Sequence, residues 1–463
     1  MNSGELELYF KSDKSTWFTI DENGNKRWDN DKVEEFWQRI REHKSSDKNL
    51  YFTEFVFPEF EHEARLNNGA FHYGNFWSGK KSFNTYVSFS KAKFLGKANF
   101  HNVEFSEDVF FGDAEFYEEA RFEKSIFLNS LSFGDSVFHK QVKFNLAQFH
   151  KQTLFGNCDF LSKTFFIKAN FKSSVTFVDT KFIAFVDFVQ STFSGDVFFY
   201  RTLFSHLSNF SMVKFDRETT FREVEFRSKV FLSKVIFNSD TLFSDIKINK
   251  DSTLVIRECI LNNNVVFRRC NMKNFVFHLS DISNTSFLSC NWNVDVRITL
   301  KDEEYLLNKE IFEFPSQERF KALENTYRLL KRNFDSNKNW ELSGYAYVSE
   351  MEMRKKRLLV EKKYYQWFVY CFYDFFGGYT QDFKRPIVSL IGLIGLFSVV
   401  YYFIDYNVLK AIQRGIKGAL PYIYIDTENP FTGYWLIARN IEFLLGGIFL
   451  TFFILALRKR FKQ

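Results

Sequence analysis

The chain has 463 residues, of which 64 are Phe and only five Pro, a bias that points to a repeat architecture and away from an ordinary globular composition. Lys and Arg (62) nearly balance Asp and Glu (56), which excludes a polyanionic or polycationic tail protein, and 45% hydrophobic content excludes a disordered chain. Five cysteines without a CxxC pair exclude a disulfide scaffold or zinc ribbon and suit a reducing compartment.

The opening segment, MNSGELELYFKSDKS, has no apolar core of the kind a cleavable secretory signal needs. Residues 1–50 read as a small cap. Strand-like runs at Leu8–Phe10 and Trp17–Ile20 lead into a turn at Asp21–Asn25. An amphipathic helix follows, with Val33, Phe36, Trp37 and Ile40 at i, i+3, i+4 and i+7. Asp21, Asn23 and Asn25 begin like a calcium loop, but Lys26 replaces the required Gly and Lys32 the bidentate Glu; the segment reads as a turn.

Beyond the cap runs a Phe ladder. Stepping from Phe83 alternately by six and five residues, twenty-nine of thirty positions up to Phe243 are Phe, with Leu232 the one replacement. Phe94, Phe105, Phe116, Phe127, Phe138, Phe149, Phe160 and Phe171 mark its eleven-residue double units. Two residues before each Phe the chain favours small or β-branched residues, such as Ala92, Ala98, Val103, Val109 and Ala114. Neither a 3.6-residue nor a sustained two-residue period fits this spacing, whereas a chain turning a corner every five or six residues does. The rings and small residues then point inward and the intervening polar residues outward.

These residues resemble the pentapeptide-repeat family, whose units run small–x–Phe/Leu–x–x. The resemblance covers roughly residues 51–292 and implies a right-handed quadrilateral β-helix over 51–300, with a mainly β fold class. The extra residue in alternate units implies coils of about 22 residues and a looser or bulged corner on two of the four sides. From Leu261 the pitch returns largely to fives through Phe267, Met272, Phe277, Ile282, Phe287 and Trp292, and this stretch, with Cys270 and Cys290 in the small inward slot, follows the family pattern most closely. At about 4.8 Å per coil, roughly ten coils make a rod about 50 Å long. Each buried Phe contributes on the order of 1.5–3 kcal/mol, so the ladder holds without disulfides or metal, and Cys158, Cys259, Cys270 and Cys290 read as small core residues.

After Trp292 the ladder stops. Residues 310–363 read as a helical hairpin: Pro315-Ser316 opens a helix with Phe320, Leu323, Tyr327 and Leu330 on its apolar face, DSNKN (335–339) turns, and a second helix starts at Trp340. This stretch is similar to the helical linker of some bacterial pentapeptide-repeat membrane proteins. Residues 364–463 read as a membrane domain. Basic residues at Arg354–Arg357 and Lys362-Lys363 precede an aromatic interfacial segment, 364–383. The uncharged run 386–404 is long enough to span a bilayer, and a second span is expected over about 438–457, closed by Arg458, Lys459, Arg460 and Lys462. With Lys384 and Arg385 before the first span, the positive-inside rule places the N-terminus, the repeat rod and the C-terminus in the cytoplasm of a multi-pass inner-membrane protein.

Between the spans, residues 411–425 (AIQRGIKGALPYIYI) are too short and mixed to cross. They read as an amphipathic helix on the far leaflet or a re-entrant helix ending at Pro421. Span–re-entrant–span is the topology of two-helix cation-channel subunits, to which some pentapeptide-repeat proteins are fused, but no TVGYG filter is present. Arg439, Glu442, Gly418, Pro421 and Tyr422 are the candidate pore or gating residues. Arg439 and Glu442, three apart on one helix face, form an intramembrane ion pair or, in the plainer reading, sit in the headgroup region.

Nothing in the sequence points to catalysis, a cofactor or a metal. Gly74–Lys80 has the G-x-x-x-x-G-K frame of a phosphate loop, but Lys81 stands where a hydroxyl is required and a repeat strand follows where a helix should. The eight histidines are scattered singly, and HExxH and GxSxG are absent. Gyrase-binding pentapeptide-repeat proteins present an acidic rod that resembles DNA; residues 91–250 here hold 21 basic and 19 acidic residues, so nucleic-acid mimicry is not expected. Two readings remain: a membrane-anchored scaffold or sensor whose rod binds a protein partner, and a homo-oligomeric pore gated by the rod, in a role such as cell defence. The expected partners are the lipid bilayer, a protein on the repeat surface and further copies of the chain.

Overall fold

The computed structural model describes residues 3–44, 49–65, 71–75, 82–261, 264–295, 297–303, 316–420 and 433–461. They form two compact units, one of residues 1–293 with 300–305 and one of residues 294–299 with 306–463.

The first unit opens with helix α1 (Ser3–Lys11), a hairpin pairing Phe18–Ile20 with Lys26–Trp28, and helix α2 (Asn30–Lys44). Leu8–Phe10, expected as a strand, belongs to α1. Leu8 is exposed there while Phe10 is buried and stacks on Phe55, so the alternation in ELEL reflects helix-favouring Glu and Leu and not a half-buried strand. Trp17 ends a short 3-10 turn, and the strand begins at Phe18. Asp21 closes the hairpin, its Oδ1 accepting from the amides of Asn23 and Asn25 while Gly24 supplies the positive φ. Val33, Phe36, Trp37 and Ile40 are all buried; Trp37 stacks on Phe57 and donates Nε1–H to the Glu59 carbonyl. The cap thus covers the rings of the first coil.

From Leu50 to Leu288 the chain winds as a four-faced β-solenoid, with faces of nine, nine, eleven and nine short parallel strands. Successive coils pair in a 22-residue register, as in Phe94 with Phe116 and Phe116 with Phe138. The register lengthens to 24 residues where Val230 meets Leu254, then contracts to 20 where Phe267 meets Phe287. Phe rings 22 apart stack nearly parallel, for example Phe94 on Phe116 at 4.4 Å and 3°. Rings of opposite faces meet edge to face, as Phe111 and Phe122 do at 84°, so both favoured aromatic geometries recur in every coil. Leu232 fills the vacant Phe slot and is equally buried.

Corners of two kinds alternate, as the five–six spacing requires. In the five-residue corners a turn closes, the Phe100 carbonyl accepting from Val103 N and the Phe89 carbonyl from Ala92 N. The third turn residue has positive φ at every eleventh position, from Lys91, Asn102 and Asp113 through to Asp245, the geometry of a type II turn. In the six-residue corners the extra residue opens the bend, and the amides of Ser106 and Val109 pair with Phe83 and Ser130 of neighbouring coils. Small polar residues in the inward slot hydrogen-bond turn carbonyls of the preceding coil, Ser125 Oγ to Phe100 O at 2.7 Å and Cys158 Sγ to Phe133 O at 2.8 Å. Burial pushes the Cys158 thiol well up from its usual range, consistent with a core residue and not a reactive one.

A hairpin, Glu61–Arg65 with Phe71–Asn75, interrupts the first coil. Gly74 and Asn75 of the phosphate-loop frame lie in its second strand, and residues 76–81 fall outside the described residues. At the far end of the unit, the buried Asp302 carboxylate accepts from the Phe277 amide with both oxygens, each at 3.0 Å.

The second unit is helical. Helices α3 (Ser316–Ser336) and α4 (Trp340–Val360) form the expected hairpin, with Leu323, Tyr327 and Leu330 buried on α3 and Asn339 capping α4 through the Leu342 amide; Pro315 lies outside the described residues. Buried Glu324 gathers Arg328, Arg354 and Arg357, with contacts of 2.8 to 2.9 Å. Helix α5 (Tyr364–Gly377) carries the aromatic segment. It is tied to α4 by Lys355 against Asp374 at 2.5 Å and ends on Gly378, which has positive φ. Helices α6 (Lys384–Asp405), α7 (Val408–Ala419) and α8 (Tyr434–Arg460) complete it.

Candidate functional site

Helices α6 and α8 are the two described helices long and apolar enough to cross a membrane. Their outer faces are apolar and exposed, with Val388, Ile391, Val399 and Phe403 on α6 and Ile437, Leu444 and Ile454 on α8, surface that a water-soluble unit does not leave bare. Inside, Leu393, Ala419 and Phe449 form a common core with α7.

Small residues let the three backbones approach closely. A Cβ added to Gly415 would lie 2.9 Å from the Ile394 carbonyl, and one on Gly446 would lie 2.5 Å from that of Ala419. Gly418 faces Glu442, and a Cβ there would fall within the carboxylate. Glu442 is fully buried; its Oε2 accepts from the Tyr401 hydroxyl at 2.8 Å, and its Oε1 has no hydrogen-bond partner. Arg414 on α7 is also buried, and Ser398 on α6 closes its hydroxyl onto Ile394 O at 2.7 Å. A buried acceptor with one lone oxygen costs about 1–3 kcal/mol.

Of the residues singled out from the sequence, Gly418 and Glu442 meet. Arg439 lies one turn before Glu442 on α8, and the hydrogen bond that Glu442 accepts comes from Tyr401 of α6. Pro421 and Tyr422 lie outside the described residues. Ala411, Arg414, Gly415, Gly418 and Ala419 turn the buried face of α7 to α6 and α8, while Val408, Leu409 and Ile412 remain exposed. Tyr401 and Arg414 carried no signal of their own: Tyr401 sits in a hydrophobic YYFI run, and Arg414 is one of two cations in the short mixed segment 411–425.

Among the described residues no group of three or more His, Cys, Asp or Glu is placed to hold a metal ion. A family model described as pentapeptide repeats matches residues 89–137 in nine copies, in the first half of the regular ladder and not in the five-residue stretch after Leu261 that the sequence favoured. No curated protein and no solved structure matches the chain. The repeat match and the four-faced coil of Phe-lined strands together show that the chain is a pentapeptide-repeat protein.

Proposed function

We propose that the chain is a membrane-anchored scaffold or sensor whose rod binds a protein partner, held in the cell membrane by α6 and α8 with both ends and the rod on the cytoplasmic side. The observation that carries this reading is a stripe of aliphatic and ring side chains in register along one corner of the rod. Leu95, Tyr117, His139, Leu161 and Ile183 recur at 22-residue intervals; Tyr117 and His139 stack at 4.8 Å, and Leu161 and Ile183 are exposed. Beside them Phe165 and Phe185 are half-buried and meet edge to face. Aromatic and aliphatic side chains aligned on a rigid surface suit a protein contact. A photo-crosslinking residue at Ile183 should then give one defined adduct in native membranes, and the same residue at Lys172, on the corner across the coil, should give none. Equal labelling at both corners, or none at either, counts against the reading. Membrane placement is tested separately: the chain should resist alkaline extraction, and a cysteine introduced after Arg458 should be inaccessible from outside intact cells.

The lone Glu442 oxygen favours a second reading, an oligomeric pore. Purified chain in liposomes would then conduct ions, and Glu442→Gln would lower the flux with the oligomer intact. Absence of flux from every oligomeric preparation removes this reading.

A further inference from the structure

Within the second unit, α3, α4, α5 and Phe452 of α8 line an open cleft of about 700 Å³, the size of a small-molecule site. Its walls differ in chemistry. The hairpin contributes Arg328, Lys331, Arg332 and Arg354 against a single lining carboxylate, Glu350. Helices α5 and α8 contribute Val369, Phe372 and Phe452, and Phe372 stacks on Phe449 of the apolar core that holds the spans.

The cationic wall is organised before any ligand arrives. Glu324 and Glu350, both buried, draw in guanidinium groups from two helices: Arg328 donates to both carboxylates at 2.8 and 3.0 Å, and Arg354 donates to Glu324 at 2.9 Å and to the Tyr370 hydroxyl at 3.0 Å. Arg357 joins on Glu324 and also donates to Glu361 at 2.8 Å, so three guanidinium groups are matched by three carboxylates in this network and the surplus charge of the wall lies with Lys331 and Arg332. Lys331 meets one carboxylate, Asp335, at 3.4 Å, and lies over the Tyr347 ring at 5.6 Å. Arg332 is exposed and has no ion-pair partner among the described residues. Planar guanidinium groups fixed in place suit the oxygens of a phosphate, and the surplus cations supply the counter-charge.

We infer that this cleft binds the phosphate-bearing headgroup of an anionic phospholipid, with its acyl chains passing along Val369, Phe372 and Phe452 toward the spans. A soluble phosphate ester satisfies the cationic wall alone and leaves the apolar wall bare, and a zwitterionic lipid adds a quaternary ammonium to a wall already in cationic surplus. Basic pockets at the ends of membrane helices recognise anionic headgroups on these terms. The inference rests on the membrane-anchored reading for its setting, but binding in detergent is measured independently of membrane insertion and of any partner on the rod.

The test uses the full chain, purified and delipidated in a neutral detergent, with three probes read by native mass spectrometry: dihexanoyl phosphatidylglycerol, dihexanoyl phosphatidylcholine and glycerol 1-phosphate. The phosphatidylglycerol should bind about tenfold or more tighter than either of the others. The double variant Lys331→Gln/Arg332→Gln, which changes side chains outside the Glu324 network, should lose about tenfold for phosphatidylglycerol and little for phosphatidylcholine. Phe452→Ala should weaken the phosphatidylglycerol and leave glycerol 1-phosphate unchanged. Equal affinity for the two lipids overturns the inference whether or not the variants fold. So does glycerol 1-phosphate binding as tightly as the acidic lipid, which would mark a soluble-phosphate site, and so does an unchanged affinity in a folded double variant.

Discussion

In the rod, each coil repeats the contacts of the coil before it: Phe116 lies between Phe94 and Phe138, and Ser125, Ser136 and Cys158 each satisfy a turn carbonyl in the same way. In the trio of α6, α7 and α8, Gly418, Glu442 and Tyr401 meet once. A repeated contact tolerates variation because its neighbours still hold, as Leu232 shows in a Phe slot; a single contact has no such neighbours. Stability in the rod is a sum over nearest-neighbour coils, while in the trio it is concentrated in a few close approaches.

The sharpest way to break this contrast is Gly418→Val. Its side chain would occupy the space of the Glu442 carboxylate, so at least about 3 kcal/mol should be lost from the second unit, read as a lowered thermal midpoint in detergent. Gly418→Ala combined with Glu442→Ala should recover most of the loss, because the two side chains compete for one space. An unchanged midpoint for Gly418→Val would show that the trio is as forgiving as the rod. Phe116→Ala, in the middle of the ladder, should cost about 3–5 kcal/mol. The damage should stay local, with amide exchange accelerated in the coils on either side while the cap and the far end keep their protection. Phe116→Leu should cost under about 1.5 kcal/mol, matching the natural replacement at position 232.

The end of the rod departs from the repeat and is the place where pH enters. Burial, with Glu303 adding to it, pushes the Asp302 carboxyl up to about 7 from 3.8, against the opposing hydrogen bond from Phe277 N. The folded state therefore keeps a proton that the unfolded state has released, and this contribution to stability is lost as pH rises from about 4 to about 7. Burial, with Arg257 adding to it, lowers His278 to about 4 from 6.5, so its contribution has the opposite slope over nearly the same range. The two offset each other in the native chain. The difference between Asp302→Asn and the native chain isolates the first: the variant should gain on the order of 3 kcal/mol relative to the native chain between pH 4 and pH 7. A flat difference would mean that Asp302 is already ionised in the folded rod at pH 4.

Much of the rod was legible because a ring every five or six residues leaves few ways to bury all of them, and the alternate spacing forced two kinds of corner. The hairpin at Glu61–Asn75 was not, since EHEAR and FHYGN share no period with the ladder, and ELELYF carried an alternation that strand and helix both accept. The two long apolar helices could be read from length and apolarity alone. Their polar contact could not: Arg439 and Glu442 share a helix face, but the partner of Glu442 comes from another helix, and only packing against Gly418 brings Tyr401 to it. Spacing along one helix reports its own face and is silent about the neighbour that face meets.

The corners carry the smallest effects and the finest version of the comparison. Each five-residue corner needs a left-handed residue, and the chain meets that need with Asn at 102 and 157 and Asp at 113, 135, 179 and 245, with long polar or flexible residues at 91, 124, 168, 190, 201, 212, 223 and 234, and with Leu at 146. Asn and Asp tolerate this region through their short polar side chains, whereas Leu pays about 1–2 kcal/mol for its Cβ. Gly removes that strain but adds about 0.5–1 kcal/mol of unfolded-state entropy to be lost. Leu146→Gly should therefore stabilise the rod by about 0.5–1 kcal/mol, its side chain being 45% exposed and contributing little to the core. Asn102→Gly should be neutral or slightly destabilising. The thermal midpoints of the two variants, measured side by side, decide the point: if both fall together, the strain at Leu146 is already relieved by the coil-to-coil bond from its amide to the Ile167 carbonyl, and the repeat shields even its least suitable corner residue.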